Sequence, residues 1–359
     1  MPLRIGSLGE AGLDPQRLER AFALLEGWAQ CGRVLGGAMA LARGGILLRP
    51  FAFGQRRLAG AVQPMDPEAV FLVASVTKPV TALAALILAE RGGLSLRDRV
   101  CLHIPEFSAR GKEVVQVIHL LTHTSGLPDL LPENTQLRQR HAPLAEFVAQ
   151  ICQCGLLFKP GTRVSYQSMG TAILGHLVER LSGQPLPVFM REEIFAPLGM
   201  HNTSLGLVPA LAGRLAQVSL PEAEEALDWT WNSSYWQGFG APWGGMFSTV
   251  GDLALFLQAL LEEGGGVLGR AAAGAMIADQ TSRLPELAPE VRQRSQVWGL
   301  GWCVGNWGDF GSARSFWHGG ATGTQVGADP ETGLLCALFT TQPDAPLHLA
   351  VNAVQGAAI

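Results

Sequence analysis

Strand-like runs sit at both ends of this 359-residue chain and helical patterns fill its middle, a distribution that leaves few architectures open. Near the N-terminus, Val34 to Leu41 and Ile46 to Phe53 flank Arg43-Gly44-Gly45 and read as a hairpin. Near the C-terminus, Trp298 to Val304, Ser315 to His318, Gln325 to Ala328 and Leu334 to Thr341 are strand-like and divided by glycine turns. Between them helical spacing dominates, at Val80 to Glu90, Val114 to Leu121, Leu144 to Gln150, Met169 to Leu181, Pro187 to Ile194 and Val250 to Leu261. Strands at both ends with helices between them require the termini to meet in one sheet. The expected fold is therefore α/β (α+β): an antiparallel sheet flanked by helices, built from both chain ends, with a large mainly helical insertion. The expected division is 1–73 with 285–359 for the sheet domain and 74–284 for the helical domain. An opening helix from Asp14 to Gln30 carries Leu18, Phe22, Leu25 and Trp28 at helical spacing after an Asp-Pro start. A polar loop with Pro64 and Pro67 leads through Val70 to Val73 into the helical part, and the proline-broken stretch Thr281 to Gln296 reads as a connector.

Lysine is scarce: only Lys78, Lys112 and Lys159 stand among 26 basic residues. One of them follows a serine by three positions in Ala74-Ser75-Val76-Thr77-Lys78-Pro79. On a helix that spacing puts amine and hydroxyl on one face about one turn apart, the arrangement of an activated serine nucleophile. Pro79 places the helix start at Ser75, because proline suits a first turn and breaks an interior. Alone, such a pair reads equally as an N-cap serine. Tyrosine is as scarce, with only Tyr166 and Tyr235. Tyr166 precedes the helix from Met169 in a turn-rich loop, where a phenol beside a lysine ammonium is expected to have a lowered pKa and to act as general acid and base. Trp317-His318-Gly319-Gly320-Ala321 lies on a C-terminal strand whose glycines allow a close approach of substrate to backbone, with an edge N–H as oxyanion donor.

Composition bounds the remaining classes. A hydrophobic fraction of 48% allows a large core, and a net charge of −4 gives no footprint for nucleic acid or an anionic membrane. The longest apolar run, Val80 to Ala89, is too short to span a bilayer. The first residues show neither a basic n-region nor an apolar h-region, so a cytoplasmic location is expected. Six cysteines without framework spacing read as free thiols. No metal or other cofactor is expected, and the oligomeric state is left open.

The order Ser75-x-x-Lys78, Tyr166-x-Ser168, His318-Gly319-Gly320 resembles the three-motif pattern of penicillin-binding-protein-like serine hydrolases. Class C β-lactamases, D,D-peptidases, D-aminopeptidases and family VIII carboxylesterases belong to this group. Phe71 to Lys78, His119 to Leu127 and Gly244 to Asp252 match it too, and the resemblance spans roughly residues 12 to 345. It implies a serine β-lactamase-like fold with its active site between the two domains and a small-molecule ester or amide as its partner. It implies Ser75 as nucleophile, Lys78 as its activator, Tyr166 as proton shuttle, and the N–H groups of Ser75 and Ala321 as oxyanion hole. Two positions depart from the lactamase pattern: Ser168 replaces a common Asn, and His318 replaces a common Lys whose charge meets a substrate carboxylate. Histidine is mostly neutral at pH 7. Both changes favour a neutral ester, although Arg314 is available as a compensating charge. Ser168, Trp317, His318, Gly319 and Gly320 are the expected substrate contacts. Trp236, from the aromatic run Trp229 to Phe247, joins them as a wall of an apolar pocket in a loop over the cleft. Rival chemistries fit less well: His119-x-x-x-His123 lacks the glutamate of His-Glu-x-x-His, and no Gly-x-Ser-x-Gly occurs. A silent binding module should have lost one of Ser75, Lys78 or Tyr166.

Overall fold

In the computed structural model, residues 3–284 and 297–358 are described; positions 285–296 of the expected connector, and the boundary drawn at 285, lie outside them. The chain termini do meet in one sheet. The strand Gly36–Arg43 runs antiparallel to Leu334–Thr340, with Ala40 opposite Ala337. Outward from Leu334–Thr340 follow Thr324–Asp329, Phe316–Gly320, Cys303–Val304 and Val297–Trp298, all antiparallel. On the other side Gly36–Arg43 pairs with Phe51–Leu58 and Ile46–Leu47; the latter also pairs in parallel with Arg4–Ile5.

Side-chain alternation decides what covers each face. Met39 and Leu41 point with Cys336 and Leu338 into a layer made by the helices Pro15–Gln30 and Leu347–Gln355. Ala38, Ala40 and Ala42 point the other way, with Leu335, Ala337 and Phe339, towards the helix Val250–Leu261. A row of alanines leaves room for that helix to lie close against the strand. Pro15–Gln30 has the expected start, with the Asp14 side chain accepting from Arg17 N–H, and it buries Leu18, Ala21, Leu25 and Trp28. Each leucine so buried contributes about 1.5–3 kcal/mol.

The central helix of the insertion, Thr77–Glu90, is buried continuously from Thr77 to Leu88 and packs on Ser168–Ser182. A helix apolar nearly all round belongs inside a domain, which is why it holds the turn at Ser75 so firmly. Three sequence expectations need correction. The loop through Pro64 contains the strand Ala61–Pro64, an edge strand where proline costs no ladder bond. The helix expected over Val114 to Leu121 is a turn Lys112–Val114 and a short helix Val117–Leu121, parted at Val115, whose backbone is extended. The segment expected as one helix over Pro187 to Ile194 passes from Leu186–Met190 into a π-turn Arg191–Phe195. No helix among the described residues is long and apolar enough to cross a membrane.

Candidate active site

A tight turn delivers Ser75. The strand Val70–Leu72 stops, Ala74 takes a left-handed backbone (φ 45°), and one 3₁₀ turn, Ala74–Val76, precedes the α-helix from Thr77. The α-helix thus starts two residues later than expected, with Pro79 still in its first turn. The Thr77 hydroxyl locks the turn by donating to Ala74 O at 2.6 Å and accepting Met246 N–H at 3.1 Å. Behind it, Val73 N–H donates to Met246 O and Thr81 Oγ1 to Pro242 O, so the glycine-rich segment after Trp243 is a brace for the Ser75 turn.

Lys78 Nζ lies 3.0 Å from Ser75 Oγ and donates to Trp243 O at 3.0 Å. Burial strips the ammonium of water and brings its pKa down to about 7, against a weaker upward pull from Asp129. Nζ sits 4.7 Å from the centre of the Tyr166 ring, and the Ser75 side chain is near enough to the Tyr166 phenol to act on its pKa. The sequence reading expected a lowered phenol pKa; the structure reverses it. Burial drives the Tyr166 pKa up, with only the Ser75 side chain pulling it down. Tyr166 is therefore a neutral phenol at pH 7, while a large share of Lys78 is a neutral amine.

The sheet domain reaches this turn through two threonines. Thr322 Oγ1 donates to Leu72 O at 2.6 Å and Thr324 Oγ1 to Val73 O at 3.0 Å. A cleft of about 440 Å³ opens there, lined by Ser75, Tyr166, Trp317, Gly319, Gly320 and Ala321 among others. Two larger surface grooves, about 730 and 700 Å³, share the exposed Arg57–Glu225 ion pair and hold no serine–lysine pair. Chemistry, not size, identifies the site.

Gly320 is needed for a reason other than substrate approach: a Cβ there would lie 2.3 Å from Val73 O, whereas at Gly319 the nearest atom is 3.8 Å away. Gly320→Ala is expected to push the strand off the Ser75 turn and slow acylation by about 10²-fold, the scale of a 1 Å misplacement. Gly319→Ala should cost at least an order of magnitude less. Burst kinetics with a chromogenic ester measure both; equal losses would show that the close approach to Val73 does not matter.

The other expected contacts are placed unevenly. Trp317, Gly319, Gly320 and Ala321 line the cleft. His318 lies beneath it, 3% exposed, with Nδ1–H donating to Gly319 O at 2.8 Å. Burial, with Lys78 nearby, brings its pKa down to about 3, so the ring is neutral. Ser168 is buried, and both its N–H and its hydroxyl donate to Asp129 Oδ1, at 2.8 and 2.7 Å. Its hydroxyl is spent on Asp129 rather than offered to substrate. Trp236 is a correction: it is buried in an aromatic core with Phe239, over the Arg138 guanidinium at 4.3 Å, and does not line the cleft. Arg314 is likewise absent from the cleft lining. The sequence gives Asp129 and Trp298 no part in the site, and His123 only the rejected pairing with His119. The only signal was the segment from His119 to Leu127, which holds His123 and stops two residues before Asp129.

The family model described as Beta-lactamase matches residues 23–358. The chain belongs to the beta-lactamase family. Members of this family are serine hydrolases. It is 30% identical over 298 residues to penicillin-binding protein 4 of Amycolatopsis lactamdurans, across 76% of this chain and 72% of that protein. It is 38% identical over 200 residues to esterase EstB of Burkholderia gladioli, across 51% of this chain and 50% of the relative. A family VIII carboxylesterase structure superposes with a TM-score of 0.78 at 22% identity, over 95% of this chain and 97% of the other. At that identity the superposition speaks for the fold.

Proposed function

We propose that this protein is a serine esterase that hydrolyses short-chain esters through an acyl-enzyme on Ser75. Neutral Lys78 accepts the Ser75 proton as Oγ bonds to the ester carbonyl carbon. The oxyanion is met by the N–H groups of Ser75 and Ala321, beside the N-terminus of the helix that follows. Collapse breaks the bond to the alcohol. Tyr166 gives its phenolic proton to the departing alkoxide and takes one back from the Lys78 ammonium, which restores both groups. In the second half a water bonds to the acyl carbon while its proton passes through Tyr166 to Lys78. Expulsion of Ser75 Oγ, reprotonated by Lys78, releases the acid.

The observation that carries the ester reading is the charge of the cleft. Among the described residues that line it there is no arginine or lysine, while Asp344 is present. The motif position that could hold a cation bears His318, buried and neutral. A β-lactam or peptide carboxylate would meet the like charge of Asp344 with no arginine or lysine in the lining to offset it, whereas a neutral ester loses nothing. The Burkholderia relative named an esterase supports the same reading.

The expected result is a kcat/KM for an acetyl or butyryl ester at least about 10²-fold above that for a chromogenic cephalosporin, the size of one lost charged hydrogen bond. A cephalosporin turned over as fast as the ester would favour a β-lactamase or D,D-peptidase, the reading nearer to the Amycolatopsis relative's name.

A further inference from the structure

His123 follows the short helix Val117–Leu121 and turns back with a left-handed backbone, φ 57°. Glycine or asparagine adopts that conformation more cheaply, so a histidine held there points to its side chain. Its contacts converge on one place. The His123 carbonyl accepts Ser165 N–H at 2.8 Å and its Nδ1 accepts Gln167 N–H at 3.2 Å. The ring lies against the Tyr166 ring with centres 4.7 Å apart, and Trp298 backs it edge-on at 4.2 Å. One histidine therefore grips residues 165, 166 and 167. Gln167 completes the interlock, since its side chain donates to His119 O and accepts from Ser125 Oγ.

Because Nδ1 accepts, the ring proton sits on Nε2. That Nε2–H is buried and has no hydrogen-bond partner among the described residues. The polar grip on the tyrosine loop thus runs through Nδ1 and the carbonyl alone. Burial and the neighbouring Lys78 hold the ring neutral, so it adds no second cation beside the Ser75–Lys78 pair.

We infer that His123 is a positioning residue for Tyr166: its carbonyl, Nδ1 and ring fix the backbone on both sides of the tyrosine, which keeps the phenol on Ser75. The inference rests on the Ser75–Lys78–Tyr166 reading above. It makes an unusual demand on substitutions. Asparagine carries an acceptor where Nδ1 stands and tolerates the left-handed backbone, whereas glutamine reaches the Nε2 position, which binds nothing.

The test compares His123→Leu, His123→Asn and His123→Gln in ester hydrolysis, with a double-mutant cycle against Tyr166→Phe. His123→Leu is expected to lower kcat by about 10²-fold with KM changed by less than about 3-fold. His123→Asn should recover at least about 10-fold of that loss, and His123→Gln should not. On the Tyr166→Phe background the leucine change should cost less than about 3-fold, because the group it positions is gone. Losses that multiply across the cycle, or glutamine matching asparagine, overturn the inference. If the leucine variant does not fold, the glutamine variant takes its place in the cycle. Phosphonate labelling of wild-type Ser75 separates the two readings. Without that labelling the esterase mechanism itself fails; with labelling but a multiplicative cycle, only the role of His123 does.

Discussion

Ser75→Ala is expected to remove ester turnover, with kcat down by about 10⁴-fold or more, and to abolish covalent labelling by a serine-directed phosphonate. The fold should survive. Ser75 is half-buried, and the turn that carries it is held by Thr77, Thr322 and Thr324 rather than by its own hydroxyl. Lys78 also keeps its bond to Trp243 O when the serine is gone. The thermal midpoint should therefore move by no more than a few degrees. Intact-mass and peptide mapping of the labelled wild type provide the second half of the experiment. Label on any other serine, or substantial turnover left in the alanine variant, would sink the assignment.

What could be read from the sequence follows from how local each signal is. Pro15–Gln30 and Val250–Leu261 carry their own boundaries, in the Asp14 and Thr249 caps and in apolar spacing, and both appear where the pattern put them. The meeting of the two ends in one sheet followed from topology rules that exclude most other placements of terminal strands. The Ser75–Lys78 contact was legible because three residues on a helical turn fix it regardless of tertiary context. Ser168 was misread because its partner, Asp129, lies 39 positions away and no spacing rule links them. Trp236 was misread because aromatic residues in a run serve a core or a pocket equally well, and only packing against Phe239 and Arg138 decides. The Tyr166 pKa went the wrong way for the same reason. Charge proximity was inferred from sequence order, but the burial that outweighs it is a property of the assembled site.

Lys78 offers the sharpest remaining test, because burial assigns it a measurable pH signature. With its pKa down at about 7, half of the amine is neutral at pH 7, whereas an ordinary lysine would be neutral to about one part in three thousand. The neutral form is the base. kcat/KM should therefore rise with pH up to about 7 and level off above it, since Tyr166 stays protonated. Lys78→Arg should be nearly as damaging as Lys78→Ala, each costing on the order of 10³-fold, because a guanidinium stays charged and cannot accept the serine proton. An arginine variant with most of its activity would reduce Lys78 to a fixed charge. Stability should also rise with pH, but over a higher range. From pH 7 up to the ordinary lysine range the unfolded chain holds more protons than the folded one, so this lysine costs most stability below pH 7 and progressively less above it. Lys78→Met should accordingly gain more stability relative to wild type at pH 6 than at pH 9, while remaining inactive at both. A chain that gives up stability at acid pH to keep a lysine dry beside Ser75 is using burial to make a base out of an ammonium. Equal gains at the two pH values would mean that the amine is not desolvated.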